Sequence, residues 1–241
     1  NIDDKEIIDI SLKILKSSRY RRSKLNIGNF KLFELLINKL QIPQRWKQRL
    51  IKFFWNEKYF SELLKRLESN LDIDPVAVAG DKKMYSKMIK LNQKKIINGR
   101  SYKEIIKRFE SKINDPRQSE TGKKSAKIIK EFLKIKCSLN NAPNILNKFF
   151  KKYDLNIFVN KDYFPIKNLK IKDTKFEFST SIGRGREVEF YNSLIFSLDV
   201  KKKNKFVNLI SGGRFDELTS KYLGLKKIPA VGAAVNLSNY E

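Results

Sequence analysis

The sequence predicts an α+β chain: an antiparallel sheet with flanking helices, interrupted by a helical insertion. Up to Asp154, apolar residues recur mostly at helical spacing. From Leu155 onward the period shortens and β-branched and aromatic residues concentrate, as in strands. Half of the ten glycines fall between Arg184 and Gly232, where tight turns must join those strands. The expected divisions are 1–70, a helical/αβ part of the core; 71–154, the insertion; and 155–241, the sheet with its turns.

Taken in order, Asp3, Asp4 and Glu6 place acids where a helix N-terminus favours them. Ile8, Ser11, Leu12 and Leu15 then fall on one face. Lys24–Ile27 reads as a short strand, and Gly28-Asn29 turns the chain into a helix aligning Phe33, Leu36, Ile37 and Leu40. One glycine there cannot cradle a pyrophosphate. Pro43 is placed in the first turn of a helix whose buried side carries Trp46, Leu50, Phe53 and Phe54. Phe60, Leu63, Leu64 and Leu67 mark the next. Asp72 to Gly80 reads as a break, from Asp74-Pro75 and Gly80-Asp81. Helices are then expected at 83–95, 101–113, 119–136 and 142–151, with Cys137 as a small core residue of an amphipathic helix. Strands are expected at Leu155–Val159, Phe176–Thr180, Val188–Val200, Phe206–Ser211 and Ile228–Val235. A hairpin turns at Lys201–Lys205, and a helix over Asp216–Leu223 stops at Gly224.

Fifty-two Lys and Arg against 26 Asp and Glu give a net charge of +26. That invites a nucleic-acid reading. Lysine far outnumbers arginine, however, and the cations are spread over nearly every helix, so the excess reads as composition rather than as a phosphate-binding patch. One cysteine excludes an internal disulfide framework. No apolar run approaches bilayer length and the opening residues do not read as a signal peptide, so a soluble cytoplasmic protein is expected. The chain does not begin with Met and its first helix starts at once, which raises the expectation of a preceding segment. A sheet lacking such a segment would expose edges and apolar surface.

The absence of histidine removes His-based acid–base catalysis, Ser-His and Cys-His pairs, and most zinc sites. What remains is a cluster: Arg186, Glu189 and Tyr191 on one stretch and Gly212, Gly213 and Arg214 at the end of a neighbouring strand. Two guanidinium groups beside backbone without side chains suit a polar or anionic small ligand. Solvated arginines on a surface strand are the plainer alternative.

The segment Arg186-Glu-Val-Glu-Phe-Tyr-Asn-Ser-Leu-Ile-Phe196 resembles the histidine-pocket segment of histidyl-tRNA synthetases, a class II aminoacyl-tRNA synthetase fold. Gly212-Gly-Arg-Phe-Asp216 with Leu218, Gly224 and Pro229-Ala-Val-Gly232 resembles the following part of that fold, in order and spacing. Asn236, Ser238 and Asn239 stand where those synthetases carry glycine, glutamate and an ATP-binding arginine. An amide supplies neither the charge nor the fork that steadies a triphosphate. The pattern is most similar to the ATP phosphoribosyltransferase regulatory subunits, and Ile27-Gly-Asn-Phe30, Leu32-Phe33, Leu40, Ile42-Pro43, Trp46 and Arg49-Leu50 extend the resemblance upstream.

The resemblance implies a non-catalytic subunit with no cofactor and no metal. It implies a short-form catalytic ATP phosphoribosyltransferase as partner, self-association through the class II core, and histidine as effector. Neither membrane nor nucleic acid is an expected partner. It assigns Arg186, Glu189 and Tyr191 to the pocket and Gly212, Gly213 and Arg214 to the facing wall. Glu187, Asn192 and Ser193 depart from the pattern and would narrow the pocket. A histidyl-tRNA synthetase, or a degenerate fragment of one, is the alternative, and a basic nucleic-acid-binding protein the third.

Overall fold

The computed structural model describes residues 4–69, 75–91, 96–97, 99–113, 119–164, 171–185, 189–218, 220, 224 and 226–240. The chain divides into two compact units, one from Asn1–Lys39 with Lys130–Glu241 and one from Leu40–Ile129.

The first unit is built on a six-stranded sheet. Its strands are β1 (Ser23–Asn29), β4 (Lys136–Ser138), β5 (Thr174–Ser179), β6 (Leu194–Lys202), β7 (Lys205–Arg214) and β8 (Val231–Val235), in the spatial order β4-β5-β1-β6-β7-β8. Only β1 and β5 run parallel; the other neighbours are antiparallel. Alternation along β1 sorts side chains to two faces. Leu25 and Ile27 lie in register with Leu198 and Phe196 of β6 and Phe176 and Phe178 of β5, making the apolar face. Phe178 meets Phe164 edge-on, with ring centroids 5.3 Å apart. Helix α1 (Asp4–Ser17) buries Ile8, Ser11, Leu12 and Leu15, the four residues its spacing predicts. Helix α2 (Phe30–Lys39) and helix α8 (Ala142–Lys152) complete the unit, and Phe33, Phe132 and Phe150 pack in one aromatic cluster.

The second unit holds helices α3 (Gln44–Lys52), α4 (Glu57–Glu68), α5 (Pro75–Leu91) and α6 (Tyr102–Ile113), a two-strand ladder of β2 (Ile96–Ile97) and β3 (Arg100–Ser101), and most of α7 (Ser119–Leu133). Trp46, Leu50, Phe54, Phe60, Leu63, Leu64 and Leu67 form its core. Phe53 falls just past the end of α3 and instead meets Tyr59 edge-on.

Several expectations need correction. The break at Asp72–Gly80 does not extend past residue 74: α5 begins at Pro75, where a missing N–H is harmless, and carries Gly80 in its interior. Residues 70–74 lie outside the described residues. Cys137 sits on the short strand β4, half-buried, rather than in a helix. Leu155–Val159 is not a strand, because Asn147 satisfies the backbone there. Its Nδ2 donates to the Val159 carbonyl at 2.9 Å and its Oδ1 accepts from the Val159 N–H at 2.8 Å. The expected strand from Val188 begins only at Leu194. The helix expected over Asp216–Leu223 falls partly outside the described residues, while Gly224 takes the left-handed backbone predicted for it (φ +66°). Among the described residues no helix is long and apolar enough to cross a membrane.

Candidate functional site

The turn after β7 ties three segments together. Arg214 Nε donates to Asp4 Oδ1 at 2.7 Å and its Nη1 to Asp216 Oδ1 at 2.9 Å. The same Asp216 oxygen accepts the N–H of Ala230 at 2.9 Å, and the Phe215 N–H donates to the Ala230 carbonyl at 2.8 Å. Helix α1, the turn and the approach to β8 are thereby joined. Burial works against the guanidinium charge, but the two carboxylates outweigh it and hold Arg214 above its usual pKa. Its charge is thus met from within the chain.

Gly212 and Gly213 are required by packing. A Cβ at 212 would stand 2.5 Å from the Gly232 carbonyl oxygen and 2.6 Å from the Phe196 ring. At 213 it would stand 2.5 Å from the Leu194 carbonyl oxygen and 2.7 Å from the Tyr191 ring. The room that the missing Cβ atoms leave is taken by these two rings and by backbone carbonyls. Tyr191 also meets Phe190 in a tilted pair at 4.4 Å and approaches Phe215 at 6.3 Å, and burial pushes its phenol pKa up. Glu189 is exposed at the rim. Arg186 lies outside the described residues, as does Glu187. The structure therefore brings Tyr191 against Gly213 in the Gly212-Gly213-Arg214 turn, while Glu189 is exposed.

The departing positions have structural roles of their own. The Ser193 carbonyl accepts the Phe30 N–H at 2.8 Å, and the Asn192 N–H donates to the Arg214 carbonyl at 2.9 Å. Asn192 Oδ1 is buried without a hydrogen-bond partner, an orphan acceptor beside the turn. Asn239 turns inward, its Nδ2 donating to the Asn208 carbonyl at 2.9 Å, while Asn236 and Ser238 are exposed.

Sequence reasoning missed the polar face of the sheet. One register row runs Ser138, Glu177, Asn26, Ser197 and Ser211 across five strands. Asn26 Nδ2 donates to Asp199 Oδ2 at 2.8 Å, Asn208 Nδ2 to Asp199 Oδ1 at 3.0 Å, and Ser211 Oγ to Asn208 Oδ1 at 2.9 Å. The signal was the alternation within β1 and β5, where Lys24, Asn26, Lys175 and Glu177 fall opposite the apolar residues. At the other margin β8 is an edge strand among the described residues, exposing Ala233 and Ala234. No charged residue occurs from Ile228 to Tyr240, so no side-chain charge guards that edge against pairing.

No family model matches the chain. Its sequence is similar to the ATP phosphoribosyltransferase regulatory subunit of Sinorhizobium fredii, 25% identical over 92% of this chain and 62% of that protein. It is likewise similar to the one from Allorhizobium ampelinum, 28% identical over 89% and 61%. The chain thus spans about six-tenths of the length of the curated relatives it matches. Among solved structures, histidyl-tRNA synthetase from Nostoc sp. PCC 7120 superposes with a TM-score of 0.53, 17% identity, 98% of this chain and 44% of that one. The resemblance read from the glycine turn and the Tyr191 segment is borne out in these relatives. So is the class II synthetase-like fold, a mostly antiparallel sheet with helices.

Proposed function

We propose that this chain is part of a regulatory subunit of ATP phosphoribosyltransferase, which works beside a short-form catalytic subunit in the first step of histidine biosynthesis. The observation that carries the reading is similarity over nine-tenths of the chain to proteins of that name. The site supports it. Tyr191 and the Gly212-Gly213-Arg214 turn keep the amino-acid side of a synthetase-like core. On the nucleotide side, Asn239 spends its amide on the Asn208 carbonyl and brings no positive charge. On this reading the protein is non-catalytic and cytoplasmic, self-associates through its core, and passes on inhibition by histidine.

The test combines the complete gene product with a short-form catalytic subunit and follows condensation of ATP with phosphoribosyl pyrophosphate. The added subunit should raise the rate, and histidine should lower it. An unchanged rate and unchanged histidine response would overturn the proposal. Histidine-dependent exchange of pyrophosphate into ATP by the complete product alone would transfer the assignment to a synthetase.

A further inference from the structure

At the opposite end of the sheet from the glycine turn, β4 is three residues long and its neighbour β5 is six. Their ladder runs from Lys136↔Ser179 to Ser138↔Glu177 and stops. The chain then leaves the sheet in a 3-10 turn at Leu139–Asn141. Lys175 and Phe176 are left without a strand partner on that side among the described residues. The step opens a cleft of about 540 Å³ lined by Lys136, Cys137, Ser138, Lys175, Phe176 and Glu177. That is the size of a small-molecule site.

Charge around this cleft is out of balance. Among the described residues Glu177 is its one lining carboxylate. Lys24 Nζ lies 3.0 Å and Lys136 Nζ 3.3 Å from the same oxygen, Oε2, at ion-pair distance but not aligned as hydrogen bonds. Asp199, the other acid facing Lys24, is held by Asn26 and Asn208. Lys175 adds a further ammonium group to the wall. An entering anion meets more cations than the chain's own carboxylates offset. Lys136, with its side chain 56% exposed, can turn toward it. Ammonium groups act as point charges and accept carboxylate or phosphate alike. Phe176 and Cys137 line the same open strand edge from the sheet's apolar face, where the apolar rest of the molecule would lie.

We infer that the β4–β5 cleft binds an organic anion, a carboxylate or phosphate carried on an apolar body, at a site separate from the glycine turn. The modest volume and the single aromatic wall fit a small molecule rather than a nucleic-acid strand, which needs a run of stacking platforms. The site requires neither the proposed function nor a partner protein.

Cys137 provides the readout, since it is the chain's only cysteine and lines the cleft. Burial pushes its thiol pKa up, so alkylation of the full chain by uncharged iodoacetamide is followed at mildly alkaline pH. Phenyl phosphate and phenylacetate should slow the reaction saturably, and benzyl alcohol should not. Lys136→Gln and Lys175→Gln should each weaken protection by about tenfold, the effect of losing one charge-assisted hydrogen bond, while Lys175→Arg restores it. Urea midpoints for the variants matching the parent chain establish that they fold. The inference is overturned by absence of protection, by protection that sodium chloride reproduces at equal ionic strength, or by equal protection in the glutamine variants.

Discussion

At the β7–β8 end of the sheet one guanidinium, Arg214, 14% exposed, faces two carboxylates, Asp4 and Asp216. At the β4–β5 end one carboxylate, Glu177, faces two ammonium groups, and a third cation lines the same cleft. The first arrangement uses charge to join segments far apart in the chain. Asp4 and Arg214 are separated by 210 residues, and their ion pair ties α1 to the turn in addition to the packing of α1's buried face. The second arrangement joins neighbouring strands that the backbone ladder already pairs, so its charges are not needed for closure. The most recognisable stretch of sequence thus also helps to hold the fold, while spare positive charge lies where no motif marks it.

Breaking the first end should cost most. Arg214→Ala removes the guanidinium shared by two half-buried carboxylates, a loss of about 3 kcal/mol or more. Urea unfolding of the full chain checks it, and Arg214→Lys should recover only part, because a point charge cannot meet both carboxylates as the fork does. A loss under about 1 kcal/mol, the range of a surface pair, would remove the contrast between the two ends.

Gly213→Ala comes next. The new methyl meets the Leu194 carbonyl oxygen, which is backbone and cannot swing aside, together with the Tyr191 ring. Overpacking of this kind costs about 1–3 kcal/mol. Pairing the substitution with Tyr191→Ala should relieve the ring contact but not the carbonyl contact. A double variant as stable as the parent would show that the glycine serves the tyrosine alone.

The same contrast marks how far the sequence can be read. Helices α1 and α4 are legible because a single buried stripe at 3.6 spacing leaves no competing arrangement: Ile8 to Leu15 and Phe60 to Leu67 are the residues buried. Proline at 75 reads as a break because the sequence does not distinguish a proline that interrupts a helix from one that begins it. Strand β4 is too short to show a period, and so Cys137 reads as part of a helix. Asn147 supplies the hydrogen bonds a strand partner would give Val159, a substitution invisible to propensity. In the candidate site, Tyr191 and the glycine turn are found together, and the sequence does not show that the glycines also admit neighbouring rings. The Asp4–Arg214 pair has no sequence signal beyond an acid in a first helical turn, which the helix dipole alone explains.

The smallest expected effect concerns Glu177 and pH. Burial favours its protonated form, but Lys24 and Lys136 outweigh this and hold its pKa below the ordinary carboxylate value. The folded state therefore prefers the ionised carboxylate. Its contribution is fully present above the unfolded-state pKa, about 4.3, and is lost as pH falls through the lower folded value. Comparing the parent chain with Glu177→Gln by urea unfolding at neutral pH should show a difference of about 0.5 kcal/mol, since the pair is partly solvated. The difference should shrink as pH falls through the range below the unfolded-state value. Arg214→Ala should show a larger deficit at neutral pH, because it removes a guanidinium that bridges two segments 210 residues apart. If the Glu177 deficit were instead several kcal/mol, its lysines would be tied to the fold as firmly as Arg214 is. The β4–β5 end would then have no cation to offer a ligand, and the asymmetry between the two ends of the sheet would be gone.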